Sequence, residues 1–426
     1  MEVKPGYKRT DLGIIPDDWE TKPMSEIGKF AKGKGLLKED IRAWGRIPGI
    51  PYTSLYTDFS EVINYDQIKW FVDDEERTYL VCEPCVLIAS SSNMAANTGK
   101  ACTLPGFVTV AIGREVIIFK TPENCRFLSY LLSTSTYRRQ TLTLARGTTI
   151  KHLYPATFRN YQIALPSPSE QNAIAETLSD VDVLLGGLDR LLDKKRDLKQ
   201  AAMQQLLTGQ TRLRGFNGEW KRQTLGRLFH FSGGYSASRE QLSTKGHCYL
   251  HYGDIHKSSK TFVDVGAEYQ DLPKLDISLR RVCANSLLED GDVVFVDASE
   301  DDEGTSRHVV VTNKDSIPFI AGLHTIVAKP KSKEMSHAYR RYCFQTLAVR
   351  QQFLFYAVGT KVSGISKTNI AKLTLRVPDI SEQDAIAEVL LDMDAEIAAL
   401  EQRREKIRAL KRAMMQELLT GKTRLI

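Results

Sequence analysis

The sequence predicts an α+β protein: two pseudo-twofold-related α/β domains separated by an antiparallel coiled coil of two long helices. Three observations carry this expectation. Residues 169–213 and 381–425 repeat one another without a gap at an offset of 212, with 25 of 45 positions identical. Both copies lack proline and place apolar residues at a spacing near 3.5, which is the mark of a coiled-coil seam. The offset also reaches back into the preceding segments, where Gly147-Thr148 matches Gly359-Thr360 and Pro166 matches Pro378. Arg138 and Gln140 likewise match Arg350 and Gln352. Further upstream, Trp19, Phe30 and Gly33 match Trp220, Phe231 and Gly234 at 201, so the second copy is longer in its middle by 11 residues.

The repeat divides the chain into residues 1–168, 169–213, 214–380 and 381–426: a variable domain, a helix, a second variable domain, a second helix. It is also cyclic. TRLRGFNGEW follows the first helix, a related LGIIPDDW opens the chain, and the second helix ends at TGKTRLI. Two copies arranged this way imply termini that lie close together.

Composition permits this plan and excludes others. The 426 residues are 42% hydrophobic and 26% charged, enough to bury cores rather than remain disordered. No apolar run approaches the ~18–20 residues of a membrane span. The opening MEVKPGYKRTDLG has no hydrophobic signal core. Seven cysteines give no disulfide framework, so a reducing, cytoplasmic setting is expected.

In the helices, expected over 170–208 and 382–420, Ser169 and Ser381 are candidate N-caps, and Gly209 and Gly421 candidate C′ residues. Acids lead and bases dominate later in the first copy, as the helix dipole favours. The expected seam is Ile174, Leu178, Val181, Leu185, Leu188 and Leu192 on one helix, with Ile386, Leu390, Met393, Ile397 and Leu400 on the other. Each helix of about 40 residues would span roughly 60 Å. A single such helix is unstable alone, so its own repeat is the expected partner. Gly186-Gly187 weakens the first copy where the second has Ala398-Ala399.

The variable domains read as mixed α and β. Strand-like runs include Val86–Ile88, Val116–Phe119, Val293–Val296 and Val309–Val311. Helical stretches are expected near 126–144 and 337–356, followed by the Gly-Thr loops. Net charge is +3 over residues 1–168 and +5 over 214–380, against −1 on each helical segment. The positive excess therefore lies on the variable domains, where a phosphate-contacting surface would need it.

Candidate nucleic-acid contacts follow from loop chemistry. Arg146, Thr148, Thr149 and Lys151 flank Gly147, whose lack of a side chain permits close approach of the backbone. Thr360, Lys361 and Ser363 occupy the matching loop. Lys32 and Lys34, and Ser232, Tyr235 and Ser236, follow matched strand starts. Ser91 and Asn93 lie in a neutral loop whose counterpart is the acidic run Glu300-Asp301-Asp302-Glu303; an acid there could accept from a cytosine amine. The two domains would then read different bases.

Catalytic and metal signatures are missing. Cys82-Glu83-Pro84-Cys85 lacks a second pair at zinc spacing and reads as a turn entering a strand, like Glu289-Asp290-Gly291-Asp292. Gly421-Lys422-Thr423 follows a long helix rather than a strand and so fails as a phosphate loop. There is no GxSxG, HExxH, glycine-rich cofactor fingerprint or Asn-Pro-Pro-Tyr element. His324 reads as a packed or hydrogen-bonded side chain. No metal site is expected.

These marks together resemble the specificity (S) subunit of type I restriction-modification enzymes. The resemblance rests on LGIIPDDW, the duplicated GTT or GTK loop, the proline before a Ser-Glu-Gln helix start, and the duplicated LLTGxTRL helix end. It implies two target recognition domains that each read one half of a bipartite sequence in double-stranded DNA. It implies spacer helices that set half-site separation and dock two modification (methyltransferase) subunits, with a restriction (translocase/nuclease) subunit joining them. It implies no catalysis by this chain and no cofactor in it: S-adenosylmethionine, ATP and Mg would belong to the partner subunits. The alternatives are a non-catalytic interaction scaffold built on the same helices, and a single-chain methyltransferase, which the missing fingerprints disfavour.

Overall fold

The computed structural model describes residues 3–73, 77–94, 97–258, 260–299, 306–359 and 363–425. Its contacts divide the chain into two units, Met1–Asp189 with Gln402–Ile426, and Arg190–Glu401. Each unit takes one variable domain, the start of one long helix and the end of the other.

The two units are built alike. In the first, an antiparallel sheet runs in the order Ala101–Leu104, Cys85–Ala89, Val116–Lys120, Lys29–Lys32. In the second, the same order recurs as His308–Thr312, Val293–Val296, Thr325–Pro330, Phe229–Gly233. Phe262–Asp264 adds a parallel edge strand there, where the first unit has, among the described residues, a single parallel bridge, Val62 to Thr103. A second sheet in each unit pairs two strands in parallel: Ile47–Ile50 with Val110–Ile112, and His247–Leu250 with Phe319–Ala321. The central strands are buried end to end, which is why they read as unbroken apolar runs.

Each expected helical stretch before the Gly-Thr loop is two short helices. These are Cys125–Ser133 and Ser135–Leu144 in the first unit, and His337–Cys343 and Leu347–Tyr356 in the second. The breaks fall at Thr134 and Thr346, both extended, and Thr346 caps the next helix by accepting from the Val349 amide. No proline or glycine marks the break, so the sequence reads as one helix.

The long helices span Pro168–Leu206 and Ile380–Leu418. Both start two residues earlier than the sequence predicts, so Ser169 and Ser381 lie inside the first turn rather than capping it. The capping positions are Ser167 and Asp379. Their carbonyls accept from the Gln171 and Gln383 amides, and the Ser167 hydroxyl accepts from the Glu170 amide at 3.3 Å. Gly209 and Gly421 do adopt the left-handed conformation that ends these helices, with φ of +71° and +70°.

Ile174 and Leu178 are buried in the first unit's core with Phe127, Leu128 and Tyr130, and Leu418 at the end of the second helix and Leu419 just after it join them. Ile386 and Leu390 do the same in the second unit beside Tyr339, Tyr342 and Phe344, joined by Met203, Leu206 and Leu207. Each such side chain contributes about 1.5–3 kcal/mol by burial. Leu188 and Leu192 are buried, whereas Val181, Leu185, Met393, Ile397 and Leu400 are half-buried.

Within each unit the two helical segments run antiparallel. In the first, Asp182 meets Lys411 and Asp189 meets Arg404. In the second, Lys195 meets Glu396 and Lys199 meets Asp394. The Ser-Glu-Gln signature explains itself here. Glu170 and Glu382 are buried acceptors for the indoles of Trp19 and Trp220, at 3.2 and 3.1 Å. Gln171 and Gln383 donate to the carbonyls of Pro166 and Pro378 at 3.1 and 2.8 Å.

Candidate nucleic-acid interface

In the first unit, the short strands Ser91–Ser92 and Lys151–His152 pair antiparallel, Ser91 opposite His152 and Ser92 opposite Lys151. Reciprocal backbone hydrogen bonds between Arg146 and His152, 2.9 and 2.7 Å, close the loop between them. Gly147, Thr148, Thr149 and Ile150 stand exposed at its tip, with Arg146 exposed and Lys151 half-buried at its base. Gly147 has φ +112°, and a Cβ there would lie 2.0 Å from the Ile150 carbonyl oxygen. The turn therefore requires glycine.

Pairing brings the loop against Glu115, which sits at φ +69° in the turn before strand Val116–Lys120. The Ser91 hydroxyl donates to Glu115 Oε2 at 2.6 Å and the Ser90 hydroxyl to the same oxygen at 3.2 Å. Lys32 Nζ reaches Glu115 Oε1 at 3.4 Å. His152 Nδ1 lies 2.8 Å from Ser91 Oγ. Burial would raise the Glu115 carboxyl, but the Ser91 hydrogen bond, the Lys32 charge and the Ser90 hydrogen bond together hold it below the usual carboxylate range. Asn93 is exposed just beyond Ser92, and Lys34 is exposed just beyond Lys32.

Serine, histidine and glutamate here do not form a nucleophilic triad. A triad needs imidazole between hydroxyl and carboxylate, taking the hydroxyl proton. Here the serine bridges the other two, and its proton points at the carboxylate.

The second unit repeats the frame with other side chains. Ala298–Ser299 pairs with Ser363–Gly364, placing Gly364 where the first unit has His152 and Ala298 where it has Ser91. Gly364 and Val358 close the loop as His152 and Arg146 do. Thr360 and Lys361, and the run Glu300–Glu303, lie outside the described residues. His324 occupies the turn position of Glu115 with φ +58°. Its Nδ1 is 3.3 Å from Asp297 Oδ1 and its ring meets Tyr252 edge-on at 5.4 Å, so it is a hydrogen-bonded side chain. His256 Nε2 lies 2.8 Å from Ser299 Oγ. Ser236 is exposed, and Ser232 is half-buried and donates to the Asn285 carbonyl at 2.7 Å. Tyr235 is half-buried and bridges to Gly322.

Sequence reasoning missed Glu115, His152, Asp297, Tyr252 and His256. All depend on strand register or turn placement, which no local motif announces. In the Cys82–Cys85 pair, Cys82 is exposed and Cys85 is buried. Cys85 is enclosed in its strand, and burial pushes its thiol up to about 12. No helix among the described residues is long and apolar enough to cross a membrane.

The model of the type I restriction modification DNA specificity domain matches twice, over residues 16–188 and 217–409. The MjaVIII specificity subunit of Methanocaldococcus jannaschii is 24% identical over 96% of this chain and 94% of its own length. The StySPI specificity subunit of Salmonella potsdam is 23% identical over 88% and 81%. In fold, the chain is similar to the crystal structure of a type I restriction-modification S subunit from M. genitalium, with a TM-score of 0.56, 14% identity and 98% of both chains covered. With two copies of the domain spanning most of its length, the chain belongs to the specificity-subunit family of type I restriction-modification systems.

Proposed function

We propose that this chain supplies DNA sequence specificity to a type I restriction-modification complex, each unit reading one half of a bipartite target in double-stranded DNA. One observation carries the reading: the two units set the same paired-strand frame beside the same turn but fill it differently. The first holds Ser91, Glu115 and His152; the second holds Ala298, His324 and Gly364. A common frame with exchanged side chains suits two readers of unlike base edges. The exposed Arg146, Thr148 and Thr149, with Lys151, would meet phosphates and position the duplex.

In this reading the long helices fix the separation of the half-sites and dock two modification subunits. Val183, Leu184 and Leu198 leave apolar surface exposed on the first of them, as a protein partner would use. Adenine N6 methylation with S-adenosylmethionine, and ATP- and Mg-dependent translocation and cleavage, are assigned to modification and restriction subunits. This chain performs no covalent step. Its place of work is the cytoplasm, with the chromosome.

The test is a methylome of the host with and without this chain. A bipartite N6-methyladenine motif that vanishes with the chain is the expected result. An unchanged methylome in a host whose modification subunits are active overturns the proposal. Inserting four to seven residues near Leu192 should alter the spacer of that motif and leave both half-sites intact.

A further inference from the structure

The first unit carries a hydrogen-bond relay that the second cannot build at the matching described positions, where Ala298 and Gly364 stand. The Glu115 carboxylate can only accept. It takes the hydroxyl proton of Ser91 at 2.6 Å. With its proton so committed, Ser91 Oγ can meet His152 Nδ1, 2.8 Å away, only as an acceptor. Nδ1 must therefore bear the imidazole proton. In the neutral ring this leaves Nε2 as a bare acceptor, and it has no hydrogen-bond partner among the described residues. The ring is held at Nδ1, and the backbone that carries it is anchored on both sides. Its strand pairs with Ser91–Ser92, and its backbone closes the Arg146 loop. Around it stand Arg146 and Lys32, both exposed, and Lys151, half-buried.

We infer that His152 is a base-reading residue of the first unit, presenting Nε2 as acceptor to an exocyclic amino group of one DNA base, with Ser91 and Glu115 as its positioning residues. The inference rests on the DNA-reading function proposed above and deepens it. The amines available in the major groove are adenine N6 and cytosine N4. A ring fixed as Nδ1–H selects them against the oxygen acceptors of guanine and thymine at that place, which would face the Nε2 lone pair unpaired. The second unit has Gly364, Ala298 and His324 at these positions, so the effect belongs to a single half-site.

The test uses the complex of this chain with its host's modification subunits. Once the bipartite motif is mapped, binding is measured at one fixed salt concentration on a set of duplexes. In each, a single adenine is replaced by purine, or a single cytosine by 2-pyrimidinone, so that one amine at a time is removed. The wild-type complex should lose roughly 3- to 10-fold at one amine that a single hydrogen bond reads. His152→Ala should abolish that loss while keeping the losses elsewhere. Ser91→Ala keeps the ring but frees its tautomer, and should weaken the same loss at the same position. A His152→Ala complex with every amine-dependent loss intact overturns the inference. A Ser91→Ala complex indistinguishable from wild type overturns the relay. Failure of the wild-type complex to prefer any duplex would instead overturn the DNA-reading function itself.

Discussion

Arg424 holds the buried carboxylate of Glu170 in a two-pronged grip across 254 residues of chain, Nε to Oε1 at 2.6 Å and Nη2 to Oε2 at 2.8 Å. The Trp19 indole donates to the same carboxylate, and Asp18 pairs with the outer edge of the guanidinium at 2.7 and 2.9 Å. The second unit repeats the set as Arg212, Glu382 and Trp220. Each unit is therefore locked by an arginine that follows the end of the other long helix. Arg424→Ala leaves Glu170 buried with one donor, so it should destabilise the first unit by about 3 kcal/mol. Arg424→Lys should recover less than half, because an ammonium cannot supply the fork. Asp18→Ala should cost less than about 1 kcal/mol, its carboxylate being largely exposed. Amide hydrogen exchange of strands Cys85–Ala89 and Val116–Lys120 in the full chain reads these differences; equal exchange in Arg424→Ala and wild type would refute the lock.

A second matched set ties the helical segments to the domain beside them. Tyr130 donates to Asp182 at 2.6 Å, and Lys411 reaches the same carboxylate at 2.7 Å. Tyr342 donates to Asp394 at 2.7 Å, which Lys199 meets at 2.5 Å. Burial and the adjacent carboxylate both push each phenol above its ordinary value, so both act as donors at all working pH. Tyr130→Phe and Tyr342→Phe should each cost about 1.5–3 kcal/mol in their own unit, as hydrogen bonds to a charged acceptor do. Because the sets lie in different units, the double variant should be additive. Denaturant titrations followed by exchange in each unit separate the two; a loss spread evenly over both units in either single variant contradicts the assignment.

The repeat makes the architecture legible in the sequence. An offset of 212 with 45 gapless positions by itself implies two long helices and two domains. The Gly-Thr loop is legible because only glycine tolerates the Gly147 turn. The His152 relay is not. Its three side chains come from residues 91, 115 and 152, and they meet only through the register of Ser91–Ser92 on Lys151–His152. The hydrogen bond of Ser232 is equally invisible, because its partner is a carbonyl 53 residues away. The helix starts mislead for a local reason: Ser169 and Ser381 look like caps, but Ser167 and Asp379 stand two residues earlier and win.

Gly187 lies inside the first long helix with open space where a Cβ would go. Glycine there costs conformational entropy and covers nothing. Gly187→Ala should stabilise the chain by about 0.5–1 kcal/mol. The second copy already carries Ala399 at this position. The midpoint of urea denaturation should rise while the slope stays constant. A fall in the midpoint would mean that the position needs a glycine for close approach of another chain, which the full complex would then reveal.

His308 is enclosed in the central sheet of the second unit, its ring 5.6 Å from Phe295 and 5.1 Å from Phe344. Burial pushes the imidazole down to about 4 from its ordinary 6.5, and its Nε2 is buried without a partner. A histidine depressed in this way contributes most above the unfolded value. As pH falls from 6.5 to 4, the unfolded chain takes up a proton that the folded unit refuses, so stability drops through that window. The loss approaches roughly 3 kcal/mol at its lower end. His308→Leu fills the site without a titrating group and removes the orphaned nitrogen. Stability of the variant relative to wild type should therefore rise steadily as pH falls through this window and level off below it. Other titrating groups cancel in the difference. A difference in unfolding free energy that stays constant between about pH 7 and pH 4 would show that the imidazole is solvated in the folded unit.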